Sequence, residues 1–188
     1  MDRIASTAIQ LRADRVQNQA QTKTPLAPPK NALYTSEQRV LRDSTKWTLV
    51  QGILAPIQFL AFLLSLFLVL RYLQTGEGHF AAMVSVLVKT ALLYTIMVTG
   101  CIWEKVVFGQ YLFAPSFFWE DVVSMLVMAL HTAYLICVLQ NWLGPREQML
   151  LALCAYSCYA INAIQFIWKL RCARLQSDQF KGPINVLA

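Results

Sequence analysis

Four charged side chains stand where charge is costly. The stretch WEKVVFGQYLFAPSFFWEDV, residues 103–122, holds Glu104, Lys105, Glu120 and Asp121 among aromatic residues, between two long apolar runs. Carboxyls placed this way suit proton transfer. An apolar setting shared with like charges favours the protonated form of a carboxyl, which then serves as a general acid near neutral pH. A neighbouring carboxylate can act as base or orient water, and such assistance is worth about 10²–10⁴-fold in rate. Lys89 lies inside the apolar run before this stretch and His131 inside the run after it. Ionisable residues within membrane-type sequence are functional-site candidates by default. Glu120 and His131 are eleven residues apart, which returns to nearly the same helix face.

Other chemistries find no support. A bis-histidine haem needs two facing histidines, and the other histidine, His79, falls in a connector at the far end of the spans. Neither G-x-x-x-x-G-K-[ST] nor G-x-G-x-x-G occurs. The five cysteines, Cys101, Cys137, Cys154, Cys158 and Cys172, form no C-x-x-C pair, and the first four fall in apolar runs. They are expected to be buried free thiols, with no disulfide framework or metal site. The net charge of +6 comes from basic residues flanking the apolar runs, so membrane topology explains it better than nucleic acid does.

The elements that must carry these groups follow from composition. The chain is 57% hydrophobic, above the roughly 45–50% of soluble domains. Four apolar runs, roughly 48–70, 81–103, 121–143 and 148–168, each exceed 20 residues, enough to cross about 30 Å of hydrocarbon. Short connectors make neighbouring helices antiparallel. The fold class is therefore all-α: an integral membrane four-helix transmembrane bundle, with a short N-terminal interfacial helix in LYTSEQRVLRDSTKW. Thr35 and Gln38 fit a capping box for that helix. Asp43 or Ser44 is the expected cap of the first span, and Pro56 is expected to kink it. Residues 1–32 read as a disordered or weakly amphipathic arm, 33–175 as the membrane domain and 176–188 as a tail. Arg39, Arg42, Lys46, Lys105, Lys169, Arg171 and Arg174 flank one side of the spans, against Arg71 and Arg146 on the other. That asymmetry places both termini in the cytoplasm.

Each span carries a polar stripe. Lys89, Leu93, Gly100, Trp103 and Glu104 share one face of the second, and Glu120, Ser124, Val127, His131 and Tyr134 one face of the third. Trp47, Gln51, Gln58 and Ser65 mark the first; Tyr159, Asn162, Gln165 and Lys169 mark the fourth. Facing inward, these stripes would line a polar pocket, richest in charge at its cytoplasmic mouth. Plainer roles compete. Gln51, Gln58, Asn162 and Gln165 suit hydrogen bonds between helices. Lys89 and His131 suit structural pairing, and Trp103 and Trp119 suit an interfacial aromatic belt.

The stretches LYTSEQRVLRDSTKWTLVQGILAPIQF, LVKTALLYTIMVTG and WEKVVFGQYLFAPSFFWEDVVSMLVMALHTAYL together resemble the 3-vinyl bacteriochlorophyllide hydratase family, in older naming the 2-vinyl bacteriochlorophyllide hydratases. The likeness covers about residues 33–175. It implies a lyase that hydrates the C3 vinyl group of a chlorophyllide or bacteriochlorophyllide to a 1-hydroxyethyl group. It also implies a place in bacteriochlorophyll synthesis, a cytoplasmic or intracytoplasmic photosynthetic membrane, and no redox cofactor. No catalytic residue set comes with it.

Chemistry then assigns candidates. Glu120 is the expected acid, with Glu104 or Asp121 as base or orienter. Trp103, Phe118 and Trp119 are candidates to stack on the tetrapyrrole or to stabilise a developing cation. Lys105 is a candidate for the substrate's propionate, and His131 for the axial position of its magnesium. Lys89, Gln58 and Asn162 complete the candidate pocket. Membrane lipid is the expected surrounding, and self-association or docking of neighbouring pathway enzymes stays open. The rival readings are a non-catalytic pigment carrier or assembly factor and a proton-coupled transporter. The lack of an inverted repeat weighs against the transporter.

Overall fold

The computed structural model describes residues 33–181, and these residues form five helices with no strand among them. Helix α1 spans Ser36–Ser44 and α2 Lys46–Thr75. Helix α3 spans His79–Phe108, α4 Phe118–Gln140 and α5 Pro145–Lys181. The arm expected over residues 1–32 and the last seven residues of the expected tail lie outside the described residues. Helix α5 runs to Lys181, beyond the expected domain end at 175. Four helices are long and apolar enough to cross a membrane, the last over Pro145–Cys172. At 1.5 Å per residue, 23 to 30 residues reach about 34–45 Å. The chain is a four-span membrane protein.

Local chemistry explains the helix ends. Thr35 caps α1: its hydroxyl accepts the Gln38 N–H at 3.2 Å, and Gln38 Oε1 accepts the Thr35 N–H at 2.9 Å. The reciprocal box anticipated from sequence is therefore formed. Helix α2 is capped by Thr45, whose Oγ1 accepts the Trp47 N–H, rather than by Asp43 or Ser44. Asp43 instead pairs with Arg42 at 2.8 Å, and Ser44 Oγ donates back to the Leu41 carbonyl inside α1. Pro56 sits within α2, and the helix continues through it. Gly109 ends α3 at φ 83°, a left-handed conformation that costs glycine no Cβ clash. The third apolar run was expected to continue to 143, but Asn141 turns out of the helix at φ 51°.

Helix α2 packs along α3 and α4 along α5, with further contacts joining these pairs into a bundle; α1 rests against α3. Phe62, Tyr134, Tyr156 and Tyr159 form the central core with small residues such as Ala82, Ala152 and Ala155, which let backbones approach. Polar residues link the helices across this core. Ser65 Oγ lies 2.5 Å from Tyr156 Oη and 2.7 Å from Ser85 Oγ. Gln51 Nε2 donates to Thr99 Oγ1 at 2.7 Å, and Tyr94 Oη meets Thr132 Oγ1 at 2.5 Å. Many large apolar side chains, including Leu60, Phe67, Ile164 and Ile167, face outward, as lipid-contacting residues should.

All five thiols are free, as expected, but none is fully buried, and Cys154 and Cys172 are exposed. An outward thiol in a lipid-facing helix meets hydrocarbon rather than water, so exposure costs this small apolar side chain little.

Candidate active site

Three polar groups organise the bundle. The first lies at the end carrying α1, where α3 stops and α4 starts. Glu104, from the last turns of α3, and Asp121, from the first turn of α4, are both buried. Asp121 Oδ2 accepts the N–H of Phe113 at 2.7 Å, and Glu104 Oε2 accepts the N–H of Ala114 at 3.4 Å. The two carboxyls thus hold successive amides of the connector between α3 and α4. That connector has Phe113 at φ 60°, a left-handed conformation that a bulky residue adopts only at a cost in strain.

Glu120 stands one residue away and is also buried. Its Oε2 lies 2.5 Å from Lys169 Nζ on α5. The helix turn that presents it is fixed by Asn162: Asn162 Nδ2 donates to the Glu120 carbonyl at 2.9 Å and to Ser124 Oγ at 3.1 Å. Asn162 therefore joins α5 to α4 as interhelical glue. Glu120 and Lys169 border an open groove of about 340 Å³, lined also by Gln165, Trp168 and Cys172. Gln165 Oε1 is buried there with no hydrogen-bond partner. Glu104 and Asp121 do not line this groove.

An aromatic cluster closes the same end of the bundle. Tyr34, Trp103, Phe108, Phe117 and Phe166 pack together, with Tyr34 stacked on Phe108 at 5.7 Å and Phe117 on Phe166 at 5.9 Å. Ser116 Oγ donates to the Leu33 carbonyl, fastening the segment before α1 to the α3–α4 connector. Burial pushes the Tyr34 phenol above its ordinary value, and the Arg42 guanidinium 4.8 Å from its ring works against that. Trp103 donates its indole N–H to Thr48 Oγ1 at 2.9 Å, and its ring is part of this packing. Phe118 and Trp119 are exposed, in contact with each other. Lys105 is exposed; its ammonium donates to the Gly109 carbonyl at 2.8 Å, closing the end of α3.

The second group lies in the centre of the bundle, on the order of 16 Å along α4 from Glu120. Lys89 is 0% exposed, and its Nζ lies 3.1 Å from His131 Nε2 and 3.8 Å from the centre of the Tyr159 ring. His131 Nδ1 lies 2.8 Å from the Val127 carbonyl. That carbonyl can only accept, so Nδ1 carries the ring proton and Nε2 accepts from Lys89. Both nitrogens of His131 are engaged. The third group is unpaired: the Gln58 side-chain amide and the Tyr134 hydroxyl are buried without partners among the described residues.

Of the candidates chosen from sequence, Glu104, Asp121 and Glu120 come together, and Trp103 packs beside them. Lys89 and His131 pair with each other deeper in the bundle. Lys105, Phe118 and Trp119 lie on the surface at the charged end. Lys169, Gln165 and Trp168 were not chosen. Lys169 and Gln165 had been placed on the polar stripe of the fourth span, but nothing in the spacing indicated that Lys169 reaches Glu120, 49 residues earlier.

Four membrane-competent helices with a buried carboxyl cluster at one end define a polytopic membrane protein. The 2-vinyl bacteriochlorophyllide hydratase family model matches residues 34–172. Two curated proteins named 2-vinyl bacteriochlorophyllide hydratase are close relatives. The Rhodobacter capsulatus protein is 64% identical over 154 residues, covering 82% of this chain and 90% of its own. The Cereibacter sphaeroides protein is 65% identical over 153 residues, covering 81% and 94%. The chain belongs to the 2-vinyl bacteriochlorophyllide hydratase family. No solved structure shows a significant match to it.

Proposed function

We propose that this chain hydrates the vinyl substituent of a bacteriochlorophyllide or chlorophyllide, and that Glu120 is the carboxyl that meets the substrate. The observation that carries the residue assignment is that, of the three buried acids, Glu120 lines the groove.

The chemistry needs little else. A proton passes from a carboxyl to the terminal CH2; the vinyl π bond breaks and a C–H bond forms. Positive charge then rests on the carbon attached to the macrocycle, where the ring π system spreads it. Water attacks that carbon, a C–O bond forms, and the surplus proton of the water returns to the carboxylate. One water is added and no electron is exchanged. To carry the proton, Glu120 must part from Lys169. Glu104 and Asp121, pinning the connector that leads into α4, support the turn that presents it. His131 could take the substrate's magnesium only by giving up Lys89, so magnesium ligation is not part of this reading.

Orientation follows the basic side chains. Arg39, Arg42, Lys46, Lys105, Lys169, Arg171 and Arg174 belong to the end that carries the acids, which supports a cytoplasmic position for that end and for both termini. The macrocycle then reaches the groove sideways from the lipid.

Purified protein in lipid nanodiscs, mixed with a vinyl chlorophyllide, tests this reading. A hydratase returns pigment that has gained the mass of one water, with its red absorption band shifted to the blue. Pigment recovered bound but unchanged would make the chain a carrier.

A further inference from the structure

We infer that Lys169 recognises the free carboxylate of the substrate, and so makes the enzyme select free-acid pigments over their esters. This rests on the hydratase reading and deepens it.

Three features of the groove point to this ligand. Lys169 Nζ makes one hydrogen bond among the described residues, to Glu120, whereas an ammonium has three donors. Its side chain is 25% exposed and lines the opening, with Nζ 5.0 Å from the centre of the Phe117 ring, a contact that uses no hydrogen-bond acceptor of the protein. Beside it the Trp168 indole is 73% exposed, a flat apolar surface next to a cation. The opening of about 340 Å³ is small for a whole macrocycle but suits one edge of it, the rest lying against the lipid-facing wall. The groove therefore fits a flat apolar plate with one anionic edge.

A bacteriochlorophyllide is such a molecule. It ends in a free propionate where the finished pigment carries an ester. An ester has no charge to offer Lys169. The propionate also gives the lysine a second anion to pair with, which lets it leave Glu120 free for the proton it must carry. Hydrogen bonds between charged partners outweigh neutral ones, which sets the scale of discrimination at roughly tenfold or more in affinity.

The test measures binding rather than turnover. A vinyl chlorophyllide and its methyl ester are titrated into protein in nanodiscs of neutral phosphatidylcholine, which removes competing anionic headgroups, and binding is followed by absorbance. Wild type should bind the free acid roughly tenfold or more tightly than the ester. Lys169→Arg should keep that preference, and Lys169→Met should bind both alike. Because Lys169→Met leaves Glu120 without its partner, the double variant Glu120→Gln/Lys169→Met is measured in parallel and should also bind both alike. A preference for the free acid that survives in either methionine variant overturns the assignment, as does a wild type that shows none. Wild type that hydrates both pigments equally would sink this inference and leave the hydratase reading standing; wild type that hydrates neither would sink that reading itself.

Discussion

Lys89 Nζ lies 3.1 Å from His131 Nε2 at the centre of the bundle, and the lysine's other close neighbours are the rings of Tyr159 and Tyr156. A fully buried amine held by a neutral imidazole and two aromatic faces is a coupled pair, because losing one partner strands the other in a medium without water. His131→Leu should cost about 3 kcal/mol or more, and Lys89→Met/His131→Leu should recover part of that loss. Unfolding of the two single variants and the double variant in a denaturing detergent series measures the coupling. Losses that simply add would show that the two side chains stand independently.

The connector between α3 and α4 depends on its two carboxyls. Asp121→Ala leaves the Phe113 N–H without the acceptor now 2.7 Å away, in a backbone already at φ 60°. The expected loss is about 1–3 kcal/mol. Hydrogen exchange at the Phe113 and Ala114 amides should rise well above wild type, while exchange in the centre of α2 stays unchanged. Unaltered exchange at those two amides would mean that packing, and not the carboxyls, holds the connector.

Tyr34 ties the segment before α1 to the bundle through Phe108 and Phe117. Tyr34→Ala empties a buried aromatic site and should cost about 3 kcal/mol, the scale of large aromatic truncations. Tyr34→Phe keeps the ring and should stay within about 1 kcal/mol of wild type. Thermal unfolding of both in nanodiscs decides the matter, and equal losses would point to the hydroxyl rather than the ring.

Much of the scaffold was legible in the sequence because membrane helices are written in composition. Four long apolar runs leave little choice of element, and the Thr35–Gln38 box marks the start of α1 through side chains three residues apart. The stripe of Glu120, Val127, His131 and Tyr134 is buried, because a 3.6-residue period repeats a face regardless of partners. Register between helices is another matter. That Lys169 on α5 meets Glu120 on α4, or that Lys89 faces His131, depends on how far one helix slides along another, which spacing within a helix does not encode. The same reason hid the groove and the two amides that Glu104 and Asp121 hold. Thr45 displaced Asp43 and Ser44 as the cap of α2 because α1 runs through Ser44, leaving those two side chains inside it.

Glu120 is the residue on which the catalytic account turns, and single-turnover hydration by Glu120→Gln tests it most directly. The variant and the wild type, each loaded with a vinyl chlorophyllide at matched occupancy in nanodiscs, are followed by absorbance and mass. Wild type should convert the pigment to a product one water heavier, while Glu120→Gln should retain the pigment and slow the conversion by about 10²-fold or more. Conversion by Glu120→Gln at the wild-type rate would contradict the account and move the proton transfer to another group.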